Sequence, residues 1–115
     1  MIARSLIKSL EMTLKLGRVW MLFGARRVGK TRLIDDYLST LTGQRWYKGH
    51  GEDRDLAELL EARSASRLRQ LLDGYDGFFL DEAQSVTNVG ATLKLIVDLL
   101  PRLKVIVTGS SAFRL

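Results

Sequence analysis

The residues Val19-Trp20-Met21-Leu22-Phe23-Gly24-Ala25-Arg26-Arg27-Val28-Gly29-Lys30-Thr31 join an apolar run to a glycine-bounded loop. Val19 to Phe23 are apolar without a break and predict a fully buried strand. Gly24 to Thr31 matches G-x-x-x-x-G-K-[ST] at every fixed position. Gly24 and Gly29 allow a tight loop, and the backbone N–H groups of Ala25, Arg26, Arg27 and Val28 between them can converge on a phosphate chain. The helix that follows adds its positive N-terminal end. Lys30 can reach the β- and γ-phosphates, which makes it a catalytic as well as a binding candidate. The Thr31 hydroxyl can ligate Mg²⁺, and Arg32 completes the nucleotide-binding set. A Gly-rich turn beside a surface Lys-Thr pair is the plainer reading. The strand before the loop and the helix after it favour the phosphate site.

Composition narrows the class. The chain has 115 residues, 46% of them hydrophobic and 27% charged, which suits one domain with a modest core. The net charge is +5, and nucleotide phosphates are a sufficient acidic partner for it. Without a long Lys/Arg block, the charge does not by itself call for nucleic acid. There is no cysteine, which excludes disulfides and Cys-ligated metal and agrees with a cytoplasmic setting. No apolar run approaches the ~18 residues of a membrane span, so no membrane partner is expected.

The flanking segments alternate in character. Ile2, Leu6, Leu10 and Leu14 predict an amphipathic helix ending near Gly17 and packed on the sheet. From Lys30, a helix carries Leu33, Ile34, Tyr37, Leu38 and Leu41 on one face and ends at Gly43. Arg45 to Lys48 reads as a short strand, and Gly49 to Asp53 as a polar turn holding the one histidine, His50. With no second histidine or cysteine nearby, His50 reads as a loop residue or a contact to base or ribose rather than a metal ligand. Leu56, Leu59 and Leu60 mark one helix, and Ser64 caps another bearing Leu68, Leu71 and Leu72. Arg63, Arg67 and Arg69 on or near it read as a solvated face. Gly74 to Gly77 is a turn. Asn88 is the expected N-cap of a helix with Leu93, Ile96, Val97 and Leu100, closed by Pro101. Leu103 to Val107 is the last predicted strand.

Phe78-Phe79-Leu80-Asp81-Glu82 is the second chemical element. A buried strand there delivers two carboxylates at its C-terminal end, the edge where open α/β sheets bind ligands. About 50 residues after a phosphate loop, the pair predicts Asp81 in the magnesium shell and Glu82 polarising the attacking water. Gln84 and Ser85 lie near it without an assigned role. The hydroxyls of Thr108, Ser110 and Ser111 at another strand end can reach a γ-phosphate or the water.

These elements alternate as parallel βαβ units, an α/β fold with a parallel sheet and flanking helices. Together they resemble the P-loop ATPases of the AAA-like division, in which a Glu directly follows the Asp of the second motif. Gly24-Ala-Arg-Arg-Val-Gly-Lys-Thr31, Gly51-Glu-Asp53, Leu80-Asp-Glu-Ala-Gln84 and Val107-Thr-Gly-Ser-Ser111 are similar to the prokaryotic AAA_14 family, usually followed by an uncharacterised C-terminal domain. The resemblance covers nearly the whole chain. It implies ATP and Mg²⁺ as cofactors, and a sheet in which the Val105–Thr108 strand lies between the phosphate-loop and Asp81 strands. It also puts Thr108 or Ser110 at the polar sensor position, a catalytic assignment.

Such families continue with a fifth strand and often an arginine that reads the nucleotide state. The chain is accordingly read as one P-loop core, residues 1–115, truncated at its C-terminus. Arg26, Arg27, Arg114 or another subunit could supply the arginine. The expected function is ATP binding, with Mg²⁺-dependent hydrolysis in the intact protein. The alternatives are a nucleotide-operated binding switch with little or no turnover, or a fragment of a helicase-type motor, since Asp81-Glu-Ala-Gln84 resembles the Asp-Glu-Ala-x element of helicases. No Asn-Lys-x-Asp element occurs, which disfavours a GTPase. A protein partner or the following domain, and homo-oligomerisation, are family-level options.

Overall fold

The two innermost strands are apolar nearly throughout because both of their faces are covered. The computed structural model describes residues 19–23 and 28–109, with the side chains of residues 22–23 and 28–33 outside that description. The strands are β1 (Val19–Phe23), β2 (Trp46–His50), β3 (Gly77–Asp81) and β4 (Lys104–Gly109). The helices are α1 (Val28–Ser39), α2 (Arg54–Ala62), α3 (Ala65–Leu72) and α4 (Val89–Leu99), and a short 3₁₀ turn covers Ala83–Ser85. All pairings are parallel, in the order β1-β4-β3-β2. The α/β architecture and the central place of the Val105–Thr108 strand are thus as the sequence implied. Every residue of β3 is buried, as is β4 from Val105 to Gly109. In β1, Trp20 is buried but Val19 and Met21 are half-buried, less than a fully buried strand requires. Among the described residues β1 pairs with β4 alone.

Alternation along the strands divides the core in two. Phe78, Leu80, Val105 and Val107 face α2, α3 and α4, packing with Leu56, Leu60, Leu68, Leu72, Leu93 and Ile96. Phe79, Ile106 and Trp20 face α1, where Ile34 and Leu38 cover them.

Several local details depart from the sequence reading. α1 begins at Val28 and stops at Ser39, so Gly29 and Lys30 lie in its first turn and Leu41 falls beyond its end. β2 runs two residues further than expected, and Gly49 and His50 belong to it rather than to a turn. Asp53 ends that turn as the N-cap of α2, its carboxylate accepting the N–H groups of Asp55 (3.1 Å) and Leu56 (3.4 Å). Ser64 caps α3 as expected, accepting the N–H of Arg67 at 3.4 Å. Asn88 occupies the N-cap of α4 without a side-chain bond; it adopts φ 56°, a left-handed conformation that Asn tolerates better than most residues. The amphipathic helix expected before Gly17 lies outside the described residues, among which no helix is long and apolar enough to cross a membrane.

Candidate functional site

The parallel strands end at Phe23, His50, Asp81 and Gly109, so one edge of the sheet collects all four C-terminal ends. β1 ends at Phe23 and α1 begins at Val28. Asp81 lies two residues after Phe79 and Thr108 two after Ile106, so both side chains turn to the α1 face. Leu80 is in register with Val107, which brings Asp81 and Thr108 abreast one step later. The Thr108 hydroxyl donates a short hydrogen bond to Asp81 Oδ1 and accepts the backbone N–H of Glu82 at 3.2 Å. Asp81, Glu82 and Thr108 are all buried.

Glu82 leaves the strand with φ 53° and ψ 51°. A left-handed conformation costs a side-chain-bearing residue about 1–2 kcal/mol, so the surroundings must hold it. Three contacts do so. Thr108 accepts its N–H. The Gln84 side-chain amide donates to Glu82 Oε1 at 2.6 Å. Gly51 N–H donates to the Asp81 carbonyl at 2.7 Å, and packs so closely that a Cβ on Gly51 would overlap the Glu82 carbonyl oxygen. Adjacent carboxylates on a straight strand would point to opposite faces; this turn releases Glu82 from that rule.

His50 joins the site from β2, in register with Asp81. Its Nδ1 accepts the Glu52 N–H at 3.2 Å, which leaves the proton of the neutral ring on Nε2. That nitrogen lies 3.7 Å from Asp81 Oδ2, near but beyond hydrogen-bond range. The sequence reading missed this neighbour. No local signal marked it, because the pairing of β2 with β3 is what sets His50 beside Asp81.

Of the residues expected at the site, Asp81, Glu82 and Thr108 come together. Val28, Gly29, Lys30, Thr31 and Arg32 form the first residues of α1, with their side chains outside the description. Gly24, Ala25, Arg26, Arg27 and Ser110 lie outside the described residues.

A strand leading through a G-x-x-x-x-G-K-T loop into α1, two strands from a buried Asp-Glu pair, is the layout that the family resemblance implied. A family model described as an AAA domain, AAA_14, matches residues 17–115. The chain belongs to that family. It is therefore a nucleotide-binding domain of the AAA-type P-loop ATPases. No curated protein and no solved structure matches the chain.

The donor chemistry of this AAA domain fits magnesium. Mg²⁺ takes hard oxygen ligands and is commonly held by one or two protein oxygens together with phosphates and water. Asp81 offers a buried carboxylate whose Oδ1 is already oriented by Thr108. Among the described residues no group of three His, Cys, Asp or Glu side chains could hold a metal ion.

Proposed function

We propose that this AAA domain binds ATP with Mg²⁺ and, in the intact protein, hydrolyses it. The observation that carries the reading is the buried Asp81–Glu82 pair, held by Thr108 at the strand ends beside the phosphate-loop strand. The loop from Gly24 to Thr31 grips the phosphates through backbone N–H groups, and Lys30 neutralises charge on the β- and γ-phosphates. Thr31 and Asp81 hold the magnesium, which when bound stabilises the negative charge of the transferring phosphoryl group. Glu82 orients the attacking water and takes its proton as the new P–O bond forms and the bond to the ADP oxygen breaks. Ser110 is the further polar candidate near the γ-phosphate. A cytoplasmic setting and a partner domain or protein driven by the nucleotide state belong to the same reading.

The switch alternative gains one specific support. Gln84 engages the carboxylate that would handle the water, an arrangement compatible with binding that outlasts turnover. Phosphate release measured beside binding separates the two readings.

The test of the site is the thermal midpoint of the chain with Mg-ATP, run beside Lys30→Ala and Asp81→Ala. A native-state ligand at about 100 times its Kd adds about 2.7 kcal/mol of stability. The wild type should shift upward, Lys30→Ala should lose the shift, and Asp81→Ala should keep a weakened one. A cooperatively melting wild type that does not respond to millimolar Mg-ATP overturns the reading.

A further inference from the structure

Thr108 is fully buried, and its oxygen serves two partners at once: it donates to Asp81 Oδ1 and accepts from the Glu82 N–H. A threonine hydroxyl carries one proton and two lone pairs. An ionised carboxylate can only accept, so the direction of the bond to Asp81 is fixed and the proton of Thr108 is spent on it. A γ-phosphate oxygen at neutral pH is also an acceptor. It therefore needs a donor, and Thr108 has none left while it holds Asp81. Thr108 is buried, its backbone in register with Leu22 of β1 and its hydroxyl bonded to Asp81 at the end of β3.

We infer that Thr108 is a positioning residue that clamps the carboxylate pair for the magnesium, not a reader of the γ-phosphate. One hydroxyl fixes the orientation of Asp81, turning Oδ1 inward, and through the Glu82 N–H it supports the left-handed turn that brings Glu82 round to the same edge. A single oxygen thus bonds the side chain of one carboxylate and the backbone of the other. The inference rests on the proposed nucleotide site for its metal half, whereas the clamp itself stands on the protein alone.

The two halves are tested separately on the full chain. Without nucleotide, unfolding is measured for Thr108→Val, Asp81→Ala and the double variant. A clamp requires coupling: Thr108→Val should cost clearly less in the Asp81→Ala background, where the acceptor is gone, than in the wild type. Additive costs overturn the clamp whatever the nucleotide does. With nucleotide, the thermal shift at fixed ATP is titrated with Mg²⁺, and repeated with ADP and in EDTA. Thr108→Val should raise the Mg²⁺ needed for the half-maximal shift by about tenfold, the scale of one charge-assisted hydrogen bond, and leave ATP binding in EDTA unchanged. Thr108→Ser, which keeps the hydroxyl, should restore the wild-type requirement to within about threefold. A γ-phosphate reader would behave otherwise: Thr108→Val would narrow the preference for ATP over ADP and leave the Mg²⁺ requirement alone. That result overturns the inference. A wild type that responds to no nucleotide overturns the site reading and the metal half with it, while the coupling still decides the clamp.

Discussion

Among the described residues, the two faces of the sheet carry buried clusters of different size. On one, α2, α3, α4 and the 3₁₀ turn bury a continuous cluster running from Leu56 through Leu60, Phe78 and Leu80 to Leu93, Ile96 and Val107. On the other, the buried cluster among the described residues is Trp20, Ile34, Leu38, Phe79 and Ile106, with α1 as its helix. Asp81 and Thr108 point to the lighter face, but the strands that carry them are anchored by Phe78, Leu80, Val105 and Val107 in the heavier one. The carboxylates therefore rest on a rigid backing. Among the described side chains, α1 meets this face through Ile34 and Leu38, with Tyr37 and Leu41 partly buried beside them.

The largest expected effects test that asymmetry directly. Leu60 and Ile34 are both fully buried, one on each face. Truncation of a buried aliphatic side chain costs about 2–5 kcal/mol, and more where the surroundings cannot collapse into the cavity. Leu60→Ala should fall in the upper half of that range in urea unfolding, and Ile34→Ala near about 2 kcal/mol. Mg-ATP separates them further. Leu60→Ala should lower the midpoint yet keep the wild-type ATP shift, whereas Ile34→Ala, by loosening α1, should lower both. Equal costs with equal ATP shifts would remove the distinction between the faces.

The same asymmetry explains what could be read from the residues alone. Val19 to Phe23 and Phe78 to Asp81 were legible because an unbroken apolar run permits little else, and Asp81 and Glu82 because carboxylates ending such a run must lie at an edge. β2 was half legible. Tyr47 packs against the heavier cluster and Trp46 against the lighter one, but Lys48 and His50 are exposed at an outer strand, and a pattern so diluted sets no boundary. His50 was assigned to the turn for the same reason: what defines it is Asp81 on the neighbouring strand, and no local rule contains that. Gly51 does lie in the turn, but its hydrogen bond to the Asp81 carbonyl was equally out of local reach. Asn88 was placed correctly for a reason that does not operate, since its left-handed backbone rather than its amide is what the turn uses. Thr108 was legible as a polar residue at the right strand end. The direction of its proton required the carboxylate beside it.

A smaller effect contrasts the polar ties of the helices. On the heavy face, Thr92 of α4 donates to the Leu60 carbonyl of α2 at 2.9 Å, fully buried. On the light face, Asp35 of α1 meets Lys48 of β2 at 3.1 Å with both side chains about half exposed. Thr92→Val should cost about 1 kcal/mol and be insensitive to salt, the usual net value of a buried hydrogen bond. Asp35→Asn should cost about 0.5 kcal/mol or less, and less still in high salt, because exposed ion pairs are screened. A greater loss from Asp35→Asn than from Thr92→Val would mean that α1 is held mainly by charge.

The smallest effect lies at the margin of the heavy face. Tyr47 of β2 packs edge-on to Tyr75, with ring centroids 5.5 Å apart, and lies 5.9 Å from the ring of Phe78. Burial raises its phenol above the usual value of 10.0, and the negative charge of Asp53 and the neighbouring Tyr75 push in the same direction. The folded state therefore keeps the Tyr47 proton at a pH where the unfolded chain has begun to release it. By linkage, the contribution is complete below about pH 10 and is lost as the pH climbs from the unfolded value through the raised folded one. Urea midpoints measured from pH 8 to 11.5 should decline more gently in Tyr47→Phe than in the wild type, since Phe keeps the ring packing and has no proton to lose. Burial is the leading cause, so Asp53→Asn, which removes a charge but also alters the cap of α2, should flatten the slope only in part. A wild-type slope that Tyr47→Phe leaves untouched would show that water reaches this edge of the heavy face, and that its dry interior stops short of β2.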